Sequence, residues 1–530
     1  MRISLDTDLR NNMDKLPLVL TLDFGTQSLR ASLTNDKGEI ENIEKFKYDP
    51  PYFSDSYGYA EQDADYYWNG ALTVLKALCK KVPEKLDRIV GASITTFRDT
   101  SVQLDYNLKP IRRSILWLDQ RLAKGKEKLP RLHWALFTLI GMKPTIILNR
   151  ARTVAQWLKE NEPDTWNRTY KYVNISTYLT YKLTGNLVDS SSSFVGHYPI
   201  NYKARNWYKS TKALKARFFG IPKRMLCELK LPGEVLGIIS DEIAEEVGLP
   251  KGIKLYATGS DKACETVGLG ALSNEIGAIS YGTASTIEVS NKKYYEPEPF
   301  LPAYGAAVKD WYNMEVQIYR GYWMLTWFAK EFASDIAKSA KGNISKESIL
   351  NAKLNTIPPG SNGLIVQPYW GPGLSRPLAR GAIIGFSDIH TRDHLYRAII
   401  EGIAYSLREG LEGIEKSQRH KIKELRVSGG GSQSDDICQI TADIFGLPVS
   451  RVQTYETTSL GSSISVFLAL GRFSTIEEAT AAMSHKGKTF YPNDIAHEQY
   501  EFLYKNVYVK MYPQLKGVYK DINKFSKREI

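Results

Sequence analysis

The sequence predicts an α/β fold made of two duplicated units that face one another across a cleft. Three observations predict it. A chain of 530 residues is too long for one hydrophobic core and divides most naturally into two domains. Its opening pattern of strand, strand, strand, helix, strand is the start of a mixed sheet with helical cover. Finally, FGTQS at 24–28 recurs as YGTAS at 281–285, each copy preceded by an apolar strand and followed by another.

The elements justify that reading in order. Leu18 to Leu22 is a short apolar run of the length and composition of a buried strand, and it stops at Asp23-Phe24-Gly25-Thr26. A second strand spans Ser28 to Leu33 and ends at the turn residues Asn35-Asp36-Lys37-Gly38. A third, Ile40 to Tyr48, completes an antiparallel meander. Asp63 to Lys80 reads as a helix and Ile89 to Thr95 as another buried strand. In the second copy, Ala278 to Thr283 is followed by a strand-like Thr286 to Val289. The two copies differ at one chemically telling position, where Asp23 is replaced by Ser280. A carboxylate on one side only suits a single Mg-nucleotide site. The expected division is an extension over 1–16, a first domain over 17–273, a second over 274–515 and a basic tail over 516–530.

Bulk properties exclude several function classes. Hydrophobic residues make up 43% and charged residues 24%, ordinary for a globular protein. The four cysteines are far apart and form no CxxC pair, so neither a disulfide framework nor a zinc site is expected, which fits a reducing, cytoplasmic setting. The N-terminal stretch is polar, unlike a signal peptide, and no run of about 18 apolar residues suggests a membrane span. The net charge of +12 is dispersed among acids without a nucleic-acid motif, so it reads as a solvated basic surface.

Several motifs carry chemistry. Gly25, Thr26, Gln27 and Ser28 form a tight turn whose N–H groups and hydroxyls can cradle phosphate oxygens, as can Gly282 and Thr283. Asp23 can reach Mg²⁺ through water, because that ion keeps several waters. The alternative for this turn is an ordinary hairpin with a capping Asp. Gly429-Gly430-Gly431 before a helical stretch leaves bare backbone for a flat ring such as adenine, or else a flexible loop. Asp261 opens an apolar-periodic helix (Lys262 to Leu269) and reads either as its N-cap or as a general base. Arg98 and Asp99 could bind vicinal hydroxyls or form a surface salt bridge. His390 and His394 have metal-like spacing but no third ligand, and Trp323 and Trp327 read as core or interface aromatics rather than a stacking site. No Walker A, Rossmann, GxSxG or HExxH pattern occurs.

Taken together, the segments from about Leu18 to Arg472 resemble the FGGY family of carbohydrate kinases. The carrying pieces stand in the family's order. They are DFGTQSLRA (23–31), GYAEQDADYYW (58–68), ITTFRDTSVQLD (94–105), ILWLDQR (115–121), TGSDKACETVGLGA (258–271), YGTAST (281–286), GAIIGFSDIHTRDHLYRAIIEG (381–402), RVSGGGSQSDDICQITADIFGLPV (426–449) and ETTSLGSS (456–463). The resemblance implies two actin-like (ribonuclease H-like) ATPase domains facing a central cleft, with ATP and Mg²⁺ as cofactors. It implies transfer of the γ-phosphoryl group to a sugar or polyol, foremost a ketose such as xylulose. The alternatives are a glycerol or other polyol kinase and a non-catalytic actin-like ATP-binding regulator.

By the same resemblance Asp261 would be the catalytic base and Asp23 the Mg-associated acid. Gly25, Thr26, Gln27, Gly282 and Thr283 would bind phosphate, and Gly430, Gly431 and Ser434 would contact adenine. Arg98, Asp99, Asp261 and Lys262 would meet the acceptor. The family often has a small amide residue where this chain has Lys262, so an acceptor carrying a carboxylate is one expectation, and a lysine on an exposed helix face is the other. The expected partner is a small molecule, with no nucleic acid and no membrane, and a homodimer is compatible with the sequence.

Overall fold

The structure, a computed structural model, describes residues 16–125, 130–210, 218–298, 301–339, 346–371, 373 and 376–526. The N-terminal extension therefore lies outside the described residues except for Leu16, as do the last four positions of the basic tail. The rest of that tail continues a helix, Val509–Ser526.

The chain forms two compact units. The first takes the described residues up to Gly270 together with Tyr304–Trp311 and Glu456–His485, and the second takes the remainder. A single cut between 273 and 274 would assign both of those later segments to the second half.

The sheet of the first unit is built from β1 (Leu18–Phe24), β2 (Ser28–Asn35), β3 (Ile40–Lys47), β4 (Ile89–Thr96), β5 (Val235–Ile238) and β6 (Lys254–Tyr256). Their order is β5-β6-β4-β1-β2-β3. Every residue of β1 is buried, because it is a central strand paired antiparallel with β2 and parallel with β4. The meander β1–β2–β3 is as the turn residues predict, with β3 half-exposed at the edge. The helix Ala64–Lys81 buries Tyr67, Val74, Leu75 and Leu78, its apolar stripe at helical spacing. A small second sheet of Glu61–Gln62, Ser114–Ile115, Ser101–Leu104 and Lys171–Asn174 follows β4, so Arg98 and Asp99 lie in the turn between the two sheets.

The second unit repeats the plan with β7 (Ile276–Tyr281), β8 (Ser285–Asn291), β9 (Tyr312–Ile318), β10 (Glu424–Ser428), β11 (Val449–Val452) and β12 (Lys486–Phe490), ordered β9-β8-β7-β10-β11-β12. Among these six strands the antiparallel meander, two parallel pairings and final antiparallel pair repeat those of the first unit. The echo of five residues thus marks a duplicated architecture. The copies differ at the far edge: β5 precedes its inner neighbour in the chain, whereas β12 follows it.

Two motifs find structural roles here. His394 Nδ1 contacts the Thr391 hydroxyl at 3.0 Å and completes the capping box of the helix Arg392–Gln418, which gives this histidine a structural role. Trp323 and Trp327 are partly buried against the second unit's core, Trp327 edge-on to Trp370.

Candidate functional site

Asp23 ends β1 directly opposite Arg30 of β2, and a guanidinium nitrogen of Arg30 stands 3.8 Å from its carboxylate. Arg30 is itself held by Glu456, Nε to Oε2 2.8 Å. Burial pushes the Asp23 carboxyl up to about 7, opposed by Arg30 and reinforced by the negative charges of Asp261, Glu456 and Glu265. Four carboxylates thus share one neighbourhood with a cation at its edge.

The turn after β1 is closed by Gly25 N–H donating to the Ser28 carbonyl at 3.0 Å. The Thr26 hydroxyl accepts a bond from the Trp117 indole N–H at 3.0 Å, which ties the turn to the ILWLDQR segment. Gln27 is exposed, its carbonyl accepting from Tyr48 N–H.

Asp261 is the first residue of the helix Asp261–Gly268, and the capping role falls to Ser260, whose hydroxyl accepts from Ala263 N–H at 3.4 Å. Asp261 is therefore not needed as the N-cap. One of its oxygens accepts from the Lys262 N–H at 2.8 Å. Burial raises its pKa, Glu265 adds to the rise, and Lys262 and Arg98 oppose it. A half-buried carboxylate with strengthened basicity and one oxygen tied down is what a general base requires.

This helix is held by close backbone contact with the helix Thr457–Ala469. A Cβ on Gly268 would lie 1.9 Å from the Thr457 carbonyl oxygen, and one on Gly461 would lie 1.8 Å from that of Cys264. Both positions need glycine. Below that contact, Ser462 and Ser463 bond to Ser93 and Thr21, pinning the second helix to β4 and β1 with buried hydroxyls.

Lys262 pairs with Glu265 three residues on, Nζ to Oε2 2.6 Å, and is only 19% exposed. It is not a lysine on a solvated face. Arg98 lies 5.9 Å above the Tyr304 ring. Asp99 adopts a left-handed backbone (φ 51°) and binds His197 twice: its Oδ1 accepts from the main-chain N–H at 3.1 Å, and Oδ2 is 2.6 Å from Nδ1.

In the second unit Gly282 and Thr283 join β7 to β8, and their carbonyls accept from Tyr322 N–H (3.1 Å) and Trp323 N–H (3.3 Å). The triple-glycine turn lies beside them. Gly429 (φ 79°) and Gly431 leave space filled by Tyr281 and Tyr322, so these two glycines have a packing reason. Only Gly430 has nothing within 4 Å of where a Cβ would stand. Ser434 caps the helix Asp435–Phe445, its hydroxyl accepting from Ile437 N–H.

The structure thus gathers Asp23, Thr26, Arg98, Asp261 and Lys262 in the first unit, and Gly282, Thr283, Gly430 and Gly431 in the second. Sequence reading missed Arg30, Glu456, Glu265, Trp117, Tyr304 and His197 as members. Arg30 could have been found as the residue opposite Asp23 across a four-residue turn. Asp99–His197 had no signal, since the partners are 98 positions apart.

The family model described as FGGY family of carbohydrate kinases, N-terminal domain, matches residues 18–268, and its C-terminal counterpart matches 277–470. The chain belongs to the FGGY family of carbohydrate kinases. This FGGY kinase is 30% identical over 519 residues to a xylulose kinase of Lactococcus lactis subsp. lactis, covering 96% of this chain and 97% of that protein. Its fold is that of a ligand-bound xylulose kinase from Lactobacillus acidophilus (TM-score 0.79, 21% identity, 96% of this chain and 100% of that one). A gluconate kinase from the same organism is similar in fold (TM-score 0.78, 21% identity, 96% and 100%). As a member of this family the chain is a phosphotransferase with an alcohol acceptor. Among the described residues no helix is long and apolar enough to cross a membrane.

Proposed function

We propose that this FGGY kinase transfers the γ-phosphoryl group of ATP to a hydroxyl of a neutral ketose of the xylulose kind. The observation that carries the reading is Asp261, a carboxylate of raised basicity released from capping by Ser260 and set beside Arg98 and Lys262. Asp261 accepts the proton of the acceptor hydroxyl as that oxygen forms a bond to the γ-phosphorus. The bond from γ-phosphorus to the bridging oxygen breaks and ADP leaves with that electron pair. The chain forms no covalent intermediate, so its part is to position and to stabilise charge.

Asp23 fits a Mg²⁺ bound to the nucleotide. Its carboxylate supplies hard oxygen donors, and burial leaves it short of positive charge despite Arg30. An ion that keeps its waters and shares its ligands with phosphate asks the chain for no more than one carboxylate. Such an ion supplies charge neutralisation on the phosphates. Gly25, Thr26 and Gln27, with Gly282 and Thr283, bind phosphate through turn backbone, and Gly430 leaves an open face for the adenine ring.

A neutral acceptor is favoured over an acidic one because the ammonium of Lys262 is already engaged by Glu265. The relative named a xylulose kinase supports a ketose, and the Arg98–Asp99 pair keeps glycerol as the second acceptor to try. The test is ADP release over D-xylulose, other pentuloses, hexuloses, glycerol, erythritol and gluconate. Turnover with a ketulose above the polyols and the acid is expected. Turnover with gluconate alone would overturn the neutral-acceptor reading, and turnover with none would overturn the kinase reading.

A further inference from the structure

His197 lies outside every segment that carries the family resemblance, yet the chain commits unusual backbone to its pairing with Asp99. Asp99 has φ 51° and Gly196 has φ 94°. A Cβ on Gly196 would stand 2.5 Å from the Asp99 carboxyl carbon, so only glycine admits that carboxylate against the chain before His197. Both oxygens then take a bond from one residue, Oδ1 from the His197 main chain at 3.1 Å and Oδ2 from its ring Nδ1 at 2.6 Å. A carboxylate only accepts, so the Nδ1 proton points at Asp99.

The segment that brings His197 is also tied to the start of the Asp261 helix. Ser190 Oγ donates to the Thr258 carbonyl at 2.7 Å, and Ser260 N–H donates to the Ser192 carbonyl at 3.1 Å. Ser192 Oγ donates to the Ala306 carbonyl at 2.7 Å, fixing the stretch that carries Tyr304 beneath Arg98. Arg98, next to Asp99, acts electrostatically on Asp261. One loop therefore sets the carboxylate of Asp99, the start of the Asp261 helix and the ring under Arg98.

We infer that His197 is a positioning residue of the acceptor site: it holds the Asp99 carboxylate, through Nδ1, in the orientation that accepts a hydroxyl of the sugar. This rests on the kinase reading above. Two bonds from His197 leave further lone pairs on Asp99, and a fixed carboxylate loses less freedom on binding than a mobile one. The effect should appear in acceptor affinity, because the orienting bond is present before and during transfer.

The experiment compares steady-state constants for the best acceptor of the screen in wild type, His197→Ala, His197→Asn and His197→Gln. Asn places an N–H where Nδ1 stands, whereas Gln places one where Nε2 stands. We expect His197→Ala and His197→Gln to raise the acceptor KM about tenfold or more, as befits loss of a charge-assisted bond. The KM for ATP should stay within about threefold, and His197→Asn should restore the acceptor KM to within about threefold of wild type. An unchanged acceptor KM in the Ala variant, or rescue by Gln and not Asn, overturns the inference. So does an equal rise in the KM for ATP. If the Ala variant does not fold, the Asn and Gln pair decides alone. A wild type that turns over no acceptor is a different outcome, because it removes the kinase reading itself and this inference with it.

Discussion

The hairpins that open the two units share a Gly-Thr turn and differ in charge and register. In the first, Phe24 pairs with Leu29 and Asp23 with Arg30. In the second, Tyr281 pairs with Ser285 and Ser280 with Thr286, a register one residue tighter when the copies are superposed in sequence. Across the parallel neighbour the correspondence is Asp23 with Thr95 and Ser280 with Ser428. Where the buried position is a carboxylate, a cation stands opposite it and Glu456 holds that cation. Where it is a hydroxyl, the opposite residue is another hydroxyl. One scaffold therefore carries two chemistries: a buried acid opposite a cation in the first copy, and paired hydroxyls in the second.

The sharpest test of that contrast removes each of the paired groups in turn. Asp23→Asn should lower kcat about a thousandfold, as removal of an aligned electrostatic group does, whereas Ser280→Ala should stay within about threefold of wild type. Steady-state rates at saturating ATP, Mg²⁺ and acceptor decide it. Comparable losses from both would erase the distinction between the hairpins.

The next test reads the Asp23 charge as stability. Its pKa rises from 3.8 to about 7 in the folded protein. The folded state therefore holds this proton more tightly than the unfolded chain does. The contribution is fully present below 3.8 and is lost as pH climbs through 7. The difference corresponds to roughly 4 kcal/mol. Without Mg²⁺, denaturant unfolding should show wild type losing stability between about pH 4 and 7 relative to Asp23→Asn. Adding Mg²⁺ with nucleotide should recover part of the loss in wild type only. Parallel pH profiles for the two proteins would contradict the raised value.

Placing the acid in the wrong copy is the third test. Ser280 is buried opposite Thr286 with no arginine across from it. Ser280→Asp should cost about 3 kcal/mol above neutral pH, visible as a lower urea midpoint. A cost below about 0.5 kcal/mol would show that the second hairpin accepts charge as readily as the first.

Glycines give the smallest and most local contrast. Gly461→Ala drives a methyl into the Cys264 carbonyl and should cost about 2 kcal/mol while displacing the Asp261 helix. Gly430→Ala meets nothing within 4 Å and should leave stability within about 0.5 kcal/mol. Its effect should fall instead on ATP affinity, measured by calorimetry. A Gly430→Ala protein with unchanged ATP affinity would remove adenine from that turn.

The fold was legible where sequence neighbours make the structure. The wholly apolar β1, the meander after it and the repeated turn all depend on contacts a few residues apart, and their patterns survive in the chain as periodicity and composition. Asp23 was legible for the same reason, as the single charged residue at the end of a buried strand. The partners of the site were not. Glu456 reaches Arg30, and His197 reaches Asp99, across long stretches of chain, and such pairs leave no spacing to read. The glycines at 429 and 431 show the opposite failure: a pattern that suggested open backbone is partly explained by two tyrosines packed against it. Lys262 looked exposed or substrate-facing from its helix position, although Glu265 three residues on along the same helix is a partner whose spacing the sequence does carry.

The central claim is that Asp261 is the base of a sugar kinase. The most direct measurement is transfer of the γ-phosphoryl group from labelled ATP to the acceptor by wild type and by Asp261→Asn, with ATP affinity measured on both. The account predicts labelled sugar phosphate from wild type, a fall in kcat of about a thousandfold in the variant, and unchanged ATP affinity. Transfer by Asp261→Asn within tenfold of wild type would contradict it.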